Sequence, residues 1–156
     1  MCARVPARIP ADPPAGPEKV GVVTAGQPNG TSVESGNEVR IAIPASLEFV
    51  RIVRLTASGL ASRLGFDVEE IENLRVAIDE LASMAIEASD GGMLEITFQS
   101  SENELRIEGS APAKAGAEVG IDALTGQILK AVIDDYELRT DSGNVCFLCI
   151  ARRTLS

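Results

Sequence analysis

Between Asp67 and Asp90 apolar residues recur at steps of three and four: Ile71, Leu74, Ile78, Leu81, Ala85 and Ala88. That spacing places them on one stripe of an α-helix. Asp67 with Glu70 three residues on is a capping-box signature, and Asp90-Gly91-Gly92 offers a glycine stop. A second stripe, Ala77, Glu80, Met84 and Glu87, falls on the neighbouring face and sets a carboxylate one turn before a methionine. An earlier helix is predicted from a Ser46 cap to about Leu64, burying Val50, Val53, Ala57, Leu60 and Leu64 and ending at Gly65.

Elsewhere the period is two. Val39 to Ile43 alternates up to Pro44, a first strand. Leu94, Ile96 and Phe98 alternate with Glu95, Thr97 and Gln99; after a turn at Ser100 to Asn103, Leu105 and Ile107 alternate with Arg106 and Glu108. This is a hairpin with one buried face. Gly109 to Gly120 is small and irregular, and reads as a loop. A further helix is predicted over Asp122 to Ile133, with Leu124, Ile128, Ala131 and Val132 as its apolar side. Tyr136 to Thr140 is a short strand, Asp141 to Asn144 a turn, and Val145 to Ala151 a wholly apolar strand expected to be central and covered on both faces. The order strand, helix, helix, strand, strand, helix, strand, strand implies an α+β two-layer sandwich. Its sheet would be mixed and mostly antiparallel, with three helices on one face.

Composition sharpens the boundaries. Six of the eight prolines precede Val39, so residues 1–37 read as a disordered arm and 38–156 as the folded domain. A formal charge of −9 makes direct binding of nucleic acid a poor prospect and a basic protein partner a good one. The absence of histidine removes catalytic triads and histidine metal sites. No apolar run is long enough to span a membrane, and no signal-peptide core is seen, so the cytoplasm is the expected compartment.

Individual motifs say less. Cys146 and Cys149 form a lone CxxC, but residues three apart on a strand face opposite ways, so buried apolar cysteine is the preferred reading. The loop at 109–120 lacks a phosphate-binding glycine pattern, although Lys114 and the amides before the next helix could attract an anion. Glu80 is either a solvated helix residue or a general base between helix and sheet. Periodicity alone favours the surface.

Three blocks resemble the anti-sigma factor serine kinases of the histidine-kinase-like (GHKL) ATPase superfamily: IPASLEFVRIVRLTASGLASRLGF, LRVAIDELASMAIEAS and ILKAVIDDYELRTDSGNVCFLCIARR. The likeness covers about Val39 to Arg153 and implies the superfamily's Bergerat-type sandwich. It also implies that Glu80 stands where the family has its base. Met84 stands in place of the asparagine that holds magnesium, and a thioether does not replace an amide oxygen for that hard cation. Where the family has an aspartate and two glycines for the adenine, this chain has Glu108-Gly109-Ser110-Ala111-Pro112; where it has glycines at the phosphates, Ala123-Leu124-Thr125. By this resemblance the candidate catalytic residue is Glu80, the degenerate cofactor positions are Met84, Gly109 and Thr125, and no metal ligand is assigned. The implied function is an anti-sigma factor without working kinase chemistry or a required cofactor. It would hold an alternative sigma factor, face a STAS-type anti-anti-sigma antagonist and form a homodimer. The alternative is an ATP- and magnesium-dependent serine kinase that phosphorylates the antagonist; a third is a regulatory module of another two-component or partner-switching system, with no sigma factor involved. A composition rich in alanine, glycine and arginine suits an actinobacterial source.

Overall fold

A computed structural model describes residues 37–155. The arm expected over residues 1–37 lies, apart from Asn37, outside the described residues. Five strands and three helices follow in the expected order: β1 (Glu38–Pro44), α1 (Val50–Arg63), α2 (Val68–Glu87), β2 (Met93–Ser100), β3 (Glu104–Pro112), α3 (Ala123–Val132), β4 (Asp135–Asp141) and β5 (Asn144–Arg152). The sheet runs β1-β2-β3-β5-β4. Every pairing is antiparallel, so the mixed sheet expected from sequence resolves into an antiparallel one. The α1–α2 hairpin joins β1 to β2, and α3 carries the chain from β3 over β5 to β4.

Register puts one set of side chains under the helices. Ile41, Ile96, Gly109, Phe147 and Leu138 form one row across the sheet, and Val39, Phe98, Ile107, Cys149 and Tyr136 the next. Over these rows sits α2, whose Leu74, Ala77, Ile78, Leu81, Ala82, Ala85 and Ile86 are all buried. Burying each large side chain stabilises the fold by roughly 1.5–3 kcal/mol, which is why this helix and the sheet face specify each other.

Some expectations shift. Ser46 makes no side-chain cap; a 3₁₀ turn at Leu47–Phe49 precedes α1, whose buried side is Val50, Val53, Ala57 and Ala61, with Leu60 and Leu64 packed at its edge. Strand β3 runs four residues further than its alternation suggests, because Gly109 to Pro112 pair with Asn144 to Phe147 of β5. The true loop is therefore 113–122. Helix α3 buries Leu129, not Leu124, which is 67% exposed, and Ala131 is exposed too. The helix is short and lies beside α2, so Leu129 with Val132 and Ile133 makes the contact and the stripe is turned. Strand β5 is interior but one place from the edge, and buries residues on both faces. Among them, Cys149 lies in the helix-side core, where burial and the nearby Asp134 charge push its thiol up to about 12. Cys146 belongs to the opposite face. No helix of the described residues is long and apolar enough to cross a membrane.

Candidate functional site

The second stripe of α2 climbs out of the core towards the helix C-terminus. Ala77 is buried, Glu80 and Met84 are half-buried, and Glu87 is exposed. At the end of that climb lies an open cavity of about 250 Å³, lined by Met84, Glu87 and Ala88 of α2, by Glu118, Val119 and Gly120 of the loop, and by Leu138 of β4. Its floor is apolar, since Met84, Val119 and Leu138 pack against the core. Two carboxylates, Glu87 and Glu118, stand at its rim. Neither forms an ion pair with the described residues.

Backbone hydrogen bonds hold the loop over this end of α2. The Lys114 N–H donates to the Ala88 carbonyl (3.0 Å) and the Asp90 N–H to the Pro112 carbonyl (3.0 Å), either side of a bridge between Ser89 and Ala113. Ser89 is buried, and its hydroxyl donates to the Ile86 carbonyl and accepts from the Gly91 N–H. The last turn of α2 carries no basic side chain, so this 20-residue helix supplies no cation of its own to its negative pole.

The sequence-predicted site residues do not converge. Only Met84 lines the cavity. Glu80 sits a turn earlier and is not part of its wall. Gly109 is buried in mid-strand beneath Phe147: a Cβ there would lie 2.2 Å from the ring, so the glycine makes room for packing. Thr125 is engaged at the start of α3, where its N–H (2.8 Å) and hydroxyl (3.1 Å) both donate to the Asp122 carboxylate. The amides at this helix start, which could have drawn an anion, thus already hold one. The Thr125 N–H bond in turn keeps the Asp122 carboxyl below its ordinary value. Lys114, offered as an anion partner, is on the exposed part of the loop and forms no ion pair with the described residues.

Sequence reasoning missed the rim residue Glu118 and the packing partner Phe147. Neither has a local signal, because each acts through a contact distant in sequence. The Asp122 cap was readable, since an aspartate three residues before a threonine at a helix start is a capping pattern.

Comparison with known proteins places this geometry. No family model matches the chain. It is 26% identical over 136 residues to the serine-protein kinase RsbW of Halalkalibacterium halodurans, an alignment that covers 72% of this chain and 82% of that protein. It is 36% identical over 78 residues to the RsbW proteins of Bacillus thuringiensis and Bacillus cereus, and here spans about half of their length. The crystal structure of the RsbU and RsbW domains of a Mycobacterium tuberculosis protein shares the fold, with a TM-score of 0.61 at 15% identity, over 76% of this chain and 33% of that one. The fold, a five-stranded antiparallel sheet with three helices, is thus one that a structure containing an RsbW domain shares. In sequence, the proteins that it resembles are serine-protein kinases named RsbW.

Proposed function

We propose that the protein is an anti-sigma factor that sequesters an alternative sigma factor in a partner-switching system and works without ATP-dependent kinase chemistry. It acts as a homodimer in the cytoplasm, and a STAS-type antagonist competes for it. The observation that carries the reading is Met84 in the cavity wall, at the position that the resemblance gives to a magnesium ligand, between carboxylates that would face a polyphosphate. The occupied start of α3 and the ring over Gly109 support it: neither offers room or donors to a nucleotide. Release of the sigma factor then follows relative affinities and abundance.

One observation favours a working kinase. Glu80 lies half-buried a single turn before Met84, as a base would. Calorimetric titration with magnesium and ATP separates the two readings. The expected result is no binding down to the millimolar range; a dissociation constant of about a micromolar overturns the proposal. Mixing with purified candidate sigma factors should give a stable complex with one of them, and failure with all of them ends the anti-sigma reading.

A further inference from the structure

We propose that the cavity at the C-terminal end of α2 is a socket for one arginine side chain of a protein partner. Three features of different kind select that ligand. The floor made by Met84, Val119 and Leu138 is apolar, which suits the methylene stem of a long cationic side chain. Glu87 and Glu118 line the cavity without an ionic partner among the described residues, and their negative charge favours a guanidinium. The cavity also opens at the negative pole of α2, whose final turn has no base of its own. A volume of about 250 Å³ admits one such side chain. The same charges oppose a nucleotide, so the inference rests on the reading that this end of α2 does not hold ATP.

The test uses the full chain with labelled methionine, valine and leucine methyls, observed by NMR. The probe is an unstructured decapeptide amide with a single central arginine; the control has citrulline, the same shape without the charge. The arginine peptide should shift the methyls of Met84, Val119 and Leu138, and the citrulline peptide should not. The Glu87→Gln, Glu118→Gln double variant should bind the arginine peptide about tenfold more weakly. Both positions are exposed, and an unchanged spectrum of the free variant shows that it folds. Absence of shifts, or equal shifts with citrulline, overturns the socket. If magnesium and ATP shift these methyls and the arginine peptide does not, both the socket and the non-kinase reading fall. A sigma-factor complex that forms equally well with the double variant removes the socket from that interface and leaves the anti-sigma reading standing.

Discussion

The two ends of α2 are built in opposite ways. At the N-terminal end Asp67 accepts from the Glu70 N–H (2.8 Å), and Glu70 accepts both from the Asp67 N–H (2.7 Å) and from the Thr154 N–H (2.6 Å). Beside it, Arg153 packs against Gly65, which has a φ of +89°, and bonds Asn103. Caps, turn and the segment after β5 are tied into one knot. At the C-terminal end the last turn has no base, two carboxylates stand at the rim without an ion pair among the described residues, and the loop is held by its backbone. The contrast teaches how the helix divides: one end secures the fold, and the other leaves charge and apolar surface exposed.

Substitutions can break or sharpen that contrast. Leu81→Ala, in the fully buried middle that both ends share, should lose about 2–5 kcal/mol in urea unfolding. Gly109→Ala should lose about 1–3 kcal/mol by the same measurement, because the new methyl meets the Phe147 ring. If it were neutral, the glycine would need another explanation than packing. Asp67→Ala removes the cap at the secured end and should cost about 0.5–2 kcal/mol. At the other end the sign reverses: Glu87→Lys should raise stability by about 0.3–1 kcal/mol by answering the helix dipole, while it abolishes arginine binding. A loss of stability there would show that Glu87 already serves the fold, as Asp67 does at the opposite end.

The smallest effect is one of pH. Burial pushes the Glu70 carboxyl up, but hydrogen bonds from Thr154 and Asp67 and the charge of Arg153 outweigh it, leaving the group below its ordinary 4.5. A depressed carboxyl adds stability above its ordinary value, and that stability is lost as pH falls through the folded value. Glu70→Gln should therefore cost stability at neutral pH and flatten the acid limb of the stability curve, the two proteins converging as pH falls below the folded value. The comparison is read as a difference from the parent protein, because Asp122 and Asp141 are lowered as well.

Most of the fold is legible in the sequence because its signals are local. The 3.6 period and the Asp67–Glu70 pair locate α2 to within three residues at either end, and the two-residue alternation finds β1, β2 and the first part of β3. The run from Gly109 to Pro112 looks like loop, since its small residues are irregular until Phe147 and the β5 register are placed over them. The α3 stripe is misleading for a similar reason: in a ten-residue helix, the neighbour and not the period decides which side is buried. The site is less legible. Met84 stands out only by resemblance, while Glu118, Val119 and Leu138 meet it only after the loop folds back on α2.

The bond from Thr154 to Glu70 spans 84 residues and has a bearing on synthesis. On a ribosome, α1 and α2 and the β2–β3 hairpin emerge first, yet β3 still lacks its β5 neighbour, and Glu70 lacks its third donor. The outer edge of β3 stays open until residues 144–154 have left the exit tunnel. The domain therefore closes in a late step, after nearly all of it has been made, and that interval is when an unpaired strand edge is most exposed to other chains.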